Sequence, residues 1–225
     1  MTTVYGVTMF GAVLQIKRQL KGLGINDEDS VRFARYLAQK TFASLNDAFT
    51  SSTRIKNWLR RSAAAIVKLM RPVEWVTPLG LPVVQPYLSL SERHGKLCLI
   101  PKLTKQVNAF PPNFVHSLDS THMMLTALHC RRLGITFAAV HDCYWTHAST
   151  ADIMNVICRE QFIHLHKQPI VEELGKFVRK KYLPSRLRRV MERDEIKEFE
   201  DVFTPELPDG KLDIEEIRES IYFFS

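Results

Sequence analysis

The stretch ITFAAVHDCYWTHA, residues 135–148, decides how the second half of the chain folds. It opens with six small or apolar residues, a run typical of a short buried strand, and Gly134 before it is suited to ending the preceding helix. Two polar residues, His141 and Asp142, follow the run directly. The pattern predicts a short buried strand that ends directly before this pair.

The carboxylate of Asp142 is the first candidate for chemistry. A carboxylate beside a buried strand is costly unless it is paired, hydrogen-bonded or bound to a cation. Mg²⁺ is bound by one or two carboxylates together with substrate phosphates, and a pair of such ions can clamp an in-line displacement at phosphorus. Position alone leaves two interpretations open: Asp142 is a metal ligand, or it only begins a turn.

Working towards the N-terminus, the sequence predicts three helices and then short strands. Apolar stripes at helical spacing occupy residues 10–20, 31–49 and 55–70, and Asn26 and Ser52 are candidate N-caps. From Pro72 the pattern becomes extended, and a PLGLP turn predicts a hairpin between two short apolar segments. Residues 97–100 predict a further strand, and residues 101–113 a loop.

Working towards the C-terminus, helices dominate again. A helix is predicted over residues 114–133, and Ser149 with Asp152 has the spacing of a capping box that opens the next one. A further helix is predicted over residues 172–182. Together these patterns predict a mainly helical α+β fold with a short antiparallel hairpin.

Composition limits the class of protein. The chain has 225 residues, 45% of them hydrophobic, which is enough for a sizeable core, and 31 Lys and Arg against 24 Asp and Glu give a net charge of +7. That excess suits a polyanionic partner, although a solvated basic surface has the same composition. The four cysteines form no CxxC pair, which argues against a zinc ribbon or a disulfide framework. We expect no membrane insertion, because no apolar run approaches about 20 residues.

The string HDCYWTHA at residues 141–148 resembles the palm motif of single-subunit, phage-type DNA-directed RNA polymerases, and it is most similar to the mitochondrial branch. Further blocks resemble that family in the same order along the chain. They are MTTVYG at residues 1–6, NWL at 57–59, WVTPLGLPV at 75–83, PNFVHSLDSTH at 112–122 and YFFS at 222–225.

The resemblance implies a fingers and palm fragment whose short antiparallel hairpin carries the catalytic aspartate. Residues 1–113 would be part of the fingers, including a segment at 87–110 similar to the specificity hairpin, and residues 114–225 would be the C-terminal part of the palm. The implied reaction is template-directed RNA synthesis from NTPs with Mg²⁺. Implied partners are the DNA template, the RNA product and mitochondrial transcription factors. The implied location is the mitochondrial matrix, with the transit peptide outside this chain.

The resemblance also implies roles for individual residues. Asp142 would be catalytic and bind the metal, Tyr5 and Gly6 would contact the incoming nucleotide, and His122 and His141 would contact the RNA–DNA hybrid. The family's second metal-binding aspartate and the basic residues that hold the triphosphate have no counterpart in this sequence. We therefore expect an incomplete enzyme, inactive on its own.

Two other functions remain open from the residues themselves. One is a truncated, non-catalytic nucleic-acid-binding protein, which needs only the basic surface. The other is a metal-dependent hydrolase that uses Asp142 with His141 and His147, which would need a further acidic ligand. The binding protein requires no second carboxylate, whereas the hydrolase does, so the content of the site distinguishes these two functions.

Overall fold

The computed structural model describes residues 7–93, 96–207 and 212–223. Helices make up most of this part of the chain, with three separate pairs of short strands between them. In the described residues the α-helices are α1 (Met9–Gly22), α2 (Asp27–Ala48), α3 (Thr50–Lys68), α4 (Leu103–Arg132), α5 (Ala151–His166), α6 (Ile170–Tyr182), α7 (Ser185–Arg188) and α8 (Arg193–Phe203). The strands are β1 (Glu74–Val76), β2 (Pro82–Val84), β3 (Leu88–Arg93), β4 (Lys96–Pro101), β5 (Ala138–Val140) and β6 (Cys143–Trp145). The mainly helical α+β fold is as predicted.

Each strand pairs only with its neighbour in the sequence, so the strands form three antiparallel ribbons, β1–β2, β3–β4 and β5–β6. In the first, Trp75 lies opposite Val83, with the predicted turn between them. In the second, six residues pair on each side, from Leu88 opposite Pro101 onward. The predicted hairpin and the predicted strand near residues 97–100 are both confirmed.

The main core lies where α3, α4, α6 and α8 meet the first ribbon. Trp75 packs against Phe110 and Phe114 of α4, with ring centroids 5.4 and 6.2 Å away. On the opposite side, the fully buried Tyr182 donates its hydroxyl hydrogen to the Pro72 carbonyl at 2.7 Å and accepts the Glu74 N–H at 2.9 Å. One core therefore contains residues from both sides of position 113.

Helix α4 corrects the loop predicted for residues 101–113. The helix begins at Leu103 and runs through Pro111 and Pro112, although proline is unfavourable inside a helix. Burial explains the difference, since Phe110 is inaccessible to solvent and Gln106, also fully buried, accepts the Val73 N–H at 3.1 Å. Tertiary contacts thus override the local preference. The boundary between fingers and palm, placed at residue 113, stays a prediction.

Helix ends were predicted with mixed success. The Asn26 side chain accepts the Asp29 N–H at 2.8 Å, and Gly134 has a φ of +68° just after α4, so both signals are confirmed. Ser52 lies inside α3 and was wrong as an N-cap. The capping box was also wrong, because Ser149 lies in a 3-10 turn and α5 begins after Thr150.

Candidate active site at the β5–β6 turn

The β5–β6 ribbon places Asp142 in a two-residue turn. Val140 lies opposite Cys143, so His141 and Asp142 are the only residues that join the two strands. His141 has a φ of +55°, and a positive φ at the first turn position is a feature of the primed turns that fit twisted hairpins. A non-glycine residue in this region costs about 1–2 kcal/mol. The surrounding ribbon must therefore hold the turn in place.

The environment of Asp142 differs from the one predicted. Its side chain is 64% exposed, and Val140 before it is also 64% exposed, so the predicted buried strand was wrong. The reason is that the ribbon has only two strands, and its apolar contacts come from the preceding Ile135 and Phe137, which pack beside Cys130 of α4. Asp142 is a projecting carboxylate.

The neighbouring histidine favours the ionised form of Asp142. The Nδ1 atom of His141 lies 3.0 Å from Oδ1 of Asp142, and this hydrogen bond, supported by the backbone N–H of Asp142 itself, lowers the pKa of the carboxyl. Both side chains are open to solvent, and an ionised, accessible carboxylate is the form in which a hard divalent cation is bound.

Asp142 faces a cleft of about 540 Å³ between the turn, helix α4 and helix α5. Four histidines and two aspartates contribute to its walls. The lining residues are His116, Leu118, Asp119, Ser120, His122, Met123, His141, Asp142, Tyr144, Phe162 and His166. The rings of His116 and His141 meet edge to face at 5.9 Å, so helix α4 and the turn are in contact across one end of the cleft.

His122 lies in the wall of this cleft and is almost fully buried, with 4% of its surface exposed. Its Nε2 lies 2.8 Å from the Cys158 carbonyl of α5, so in the neutral ring Nε2 carries the hydrogen and donates it. Burial lowers the pKa of His122, and the hydrogen bond to Cys158 opposes that shift. The ring also lies 5.4 Å from that of Phe162 and 6.5 Å from that of Phe223. The structure thus brings His122 and Asp142 to one cleft, while contact with a hybrid stays a prediction for both histidines.

Asp119 is a residue that sequence reasoning missed. It lies one turn of α4 after His116, with its Oδ2 atom 3.9 Å from Nδ1 of that histidine, and it lines the same cleft. The cleft walls partly remove water from the carboxyl and raise its pKa, against the field of His116 and the other histidines. The His-x-x-Asp spacing within VHSLD was the available signal, since residues three apart share a helix face.

The described residues contain no group of three or more His, Cys, Asp or Glu side chains able to hold a metal ion. The hydrolase interpretation needs such a group and gains no support. Asp142 supplies one ligand, which fits a cation that is otherwise held by water and substrate phosphates. Tyr5 and Gly6, predicted to contact the nucleotide, lie outside the described residues, and their role stays a prediction.

The segment 87–110, predicted to be similar to a specificity hairpin, consists of two different structures. Its first part is the β3–β4 ribbon, with Leu90, Leu97 and Leu99 at least 63% exposed. Its second part is the first two turns of α4, where Lys102 and Lys105 are exposed to solvent at the ribbon's base. The similarity of this segment to a specificity hairpin stays a prediction.

The fold and the site together define a mainly helical α+β protein that presents an ionised aspartate at a hairpin turn beside a histidine-rich cleft. The sequence model of the DNA-dependent RNA polymerase family matches residues 1–225. The chain belongs to this family.

Individual relatives agree with the family assignment. The human mitochondrial DNA-directed RNA polymerase is 44% identical over 241 aligned residues, which cover 100% of this chain and 19% of the human protein. A mitochondrial DNA-directed RNA polymerase of Nicotiana sylvestris is 43% identical and is covered to 22%. DNA-directed RNA polymerase 2A of Nicotiana tabacum is 42% identical and is covered to 67%. The chain therefore spans about a fifth of the length of most of these relatives.

Among the residues that the structure describes, no helix has the length and apolar character needed to cross a membrane.

Proposed function

We propose that this chain forms the C-terminal catalytic segment of a mitochondrial DNA-directed RNA polymerase, with Asp142 as one of its Mg²⁺ ligands. The observation that carries the proposal is the placement of an ionised carboxylate at a hairpin turn that opens into a cleft. Relatives named mitochondrial RNA polymerases supply the reaction class and the mitochondrial location.

The proposed reaction joins an NTP to the 3′-hydroxyl of the growing RNA, directed by a DNA template. Mg²⁺ held between Asp142 and substrate phosphates would neutralise charge that develops during the displacement. The chain's own contribution is to hold Asp142 ionised through His141 and to line the cleft with His122. Tyr5 and Gly6 would contact the incoming nucleotide, and mitochondrial transcription factors would be partners of the complete enzyme.

In this proposal residues 1–113 belong to the fingers and residues 114–225 to the palm, with α4 passing from one to the other. A single carboxylate cannot clamp two metal ions, so a second aspartate and a cationic site for the triphosphate must come from other parts of the enzyme. The isolated chain is accordingly proposed to be inactive in RNA synthesis.

A chimera tests this proposal. The region of the human enzyme that aligns with this chain is replaced by the chain, and RNA synthesis on a primed template is measured with Mg²⁺. We expect synthesis, and we expect Asp142→Asn to lower its rate by a factor on the order of a hundred or more, because an interaction specific to the transition state is lost.

The matched control is Asp152→Asn, which removes the same charge from an exposed aspartate in the first turn of α5 that does not line the cleft. It should leave the rate near that of the unmodified chimera. An Asp142→Asn chimera as active as the Asp152→Asn chimera would refute the metal-ligand role. A folded but inactive chimera that still binds nucleic acid would instead favour the non-catalytic binding protein.

A further inference from the structure

A second concave surface lies on helix α3, away from the cleft. It has a volume of about 470 Å³ and is lined by Arg54, Asn57, Arg60, Arg61 and Glu206, all exposed to solvent. None of these residues lines the cleft at Asp142. We call this surface the arginine groove.

The geometry of the groove follows from how α3 packs. Arg54, Asn57 and Arg61 are spaced three and four residues apart, so they share one face of the helix. The opposite face is fixed in the main core by Leu59 and Ala63, which are 2% and 0% exposed. The groove is therefore held on a rigid element.

Two hydrogen bonds fix the walls. An Nη2 hydrogen of Arg60 is donated to Oδ1 of Asn108 on α4 at 3.0 Å, which holds this guanidinium beside the helix interface. The Ser62 hydroxyl is donated to the Val202 carbonyl at 3.3 Å, which ties α3 to the end of α8, just before the segment that carries Glu206. One wall is thus helix α3 itself, and the other is the segment that follows α8 and carries Glu206.

The charge in the groove is not neutralised. Helix α3 contains five basic residues and no acidic one. Over residues 7–93, 96–207 and 212–223, no carboxylate lies within 4.0 Å of the guanidinium groups of Arg54, Arg60 or Arg61, whereas Arg188 and Arg218 each pair with a glutamate. Glu206 is the acid that lines the groove, and it leaves two positive charges in excess there.

We propose that the arginine groove binds the sugar–phosphate backbone of a nucleic-acid strand. Guanidinium groups present planar, paired donors that match phosphate oxygens. Seven residues separate Arg54 from Arg61, which is about 10 Å along the helix axis, the length that about three phosphates of one duplex strand occupy. The lining contains no apolar side chain that would enter a lipid surface, so a strand fits this groove better than a membrane.

Glu206 refines the proposal. Its carboxylate repels phosphate but accepts hydrogen bonds from a base amino group. A strand in the groove would therefore turn its phosphates towards α3 and its bases towards Glu206. Replacement of Glu206 by glutamine should tighten binding, because the repulsion is removed while an acceptor remains.

The test uses the full chain without NTPs or Mg²⁺, so it is independent of RNA synthesis. Binding of a labelled 12-nucleotide DNA strand is measured by fluorescence anisotropy between 50 and 200 mM salt. The triple variant Arg54→Gln, Arg60→Gln, Arg61→Gln should lower the slope of log K against log salt by about 2, which is three contacts at about 0.7 each.

The matched control is the triple variant Arg18→Gln, Arg32→Gln, Arg35→Gln, which removes the same charge from exposed positions on α1 and α2 that do not line the groove. It should lower the slope by less than half as much. Circular dichroism melts establish whether both variants fold. If the groove triple variant does not fold, the single variant Arg61→Gln takes its place. Equal losses in the two triple variants, or none in the first, would overturn the proposal.

Three competitors identify the ligand. Inorganic tripolyphosphate, anionic lipid vesicles and polyglutamate are each added to the labelled complex. Tripolyphosphate that displaces the strand as well as unlabelled strand does, at the same phosphate concentration, would show a site for free phosphate. Vesicles that displace it at matched charge would show a lipid site, and polyglutamate that does so would show an acidic-peptide site. Each of these results overturns the assignment to a strand, and displacement by unlabelled strand alone supports it.

Discussion

Replacement of Arg159 by alanine should release the C-terminal segment from helix α5. Nη1 of Arg159 donates to the Ile217 carbonyl and, at 2.6 Å, to the Ser220 carbonyl, and the guanidinium lies 5.3 Å over the ring of Phe223. One half-buried side chain thus holds the 3-10 helix Ile214–Arg218 and the aromatic residue after it.

The cost can be worked out from these contacts. A hydrogen bond that involves a charged group contributes about 1.5–3 kcal/mol, and a cation–π contact at an exposed site about 0.5–1 kcal/mol. Water readily replaces the guanidinium at the exposed Ser220 carbonyl, so we count only the part-buried bond to Ile217 and the cation–π contact, each at its lower value. Together they give a loss of about 2 kcal/mol in the local closing free energy. The open population should then rise roughly thirtyfold, since 1.36 kcal/mol is a factor of ten.

Hydrogen exchange followed by mass spectrometry measures this change. Amides in residues 212–223 should exchange roughly thirtyfold faster in the variant, while those of the main core keep their rates. Arg159→Lys keeps the charge but loses the planar guanidinium whose Nη1 reaches both carbonyls, so its exchange rate should lie between those of the unaltered chain and the alanine variant. Arg179→Ala, which removes a half-buried arginine from α6, is the control. Unchanged exchange in residues 212–223 would refute the role of Arg159.

Three further predictions concern stability. Tyr182→Phe should lower the free energy of unfolding in urea by about 1–3 kcal/mol, because the buried Pro72 carbonyl loses its donor. Gly175→Ala should lower the melting temperature, since an added Cβ would lie 2.8 Å from Cδ of Pro205, and overpacking of this kind costs about 1–3 kcal/mol. Folding lowers the pKa of His122 below its ordinary value of about 6.5. The contribution of this histidine to the free energy of unfolding is therefore complete above that pH. It declines at lower pH, because the unfolded chain then binds a proton that the folded chain resists. Urea unfolding at pH 7.5 and 5.5 should therefore show a smaller loss in His122→Gln than in the unaltered chain.

Local signals in the sequence were enough for several elements. Asn26 before an acidic first turn and Gly134 after an apolar helix act through contacts within a few residues, so their effects could be predicted without the fold. The same is true of the PLGLP turn and of the reversal at His141 and Asp142, where a short strand leads straight into its partner. The family resemblance was carried by these same blocks, and the family is confirmed.

Other features depended on contacts between distant parts of the chain. Residues 101–113 were predicted as a loop, yet α4 begins at Leu103 because Phe110 and Gln106 are buried against the first ribbon. His122 is buried by α5, whose Cys158 lies 36 residues further along the chain. Asp119 lines the cleft because α4 lies against the β5–β6 turn.

The sequence alone therefore determined most of the helices and turns, the family, and that Asp142 stands at a chain reversal. The tertiary structure decided that this carboxylate is exposed rather than buried, that His122 is buried, and that the three arginines of α3 line a groove. The physical reason is that local hydrogen bonds and turn preferences act over a few residues and leave a pattern in the sequence. Exposure, desolvation and concavity are set by which distant side chains pack together, and that packing leaves no short-range pattern.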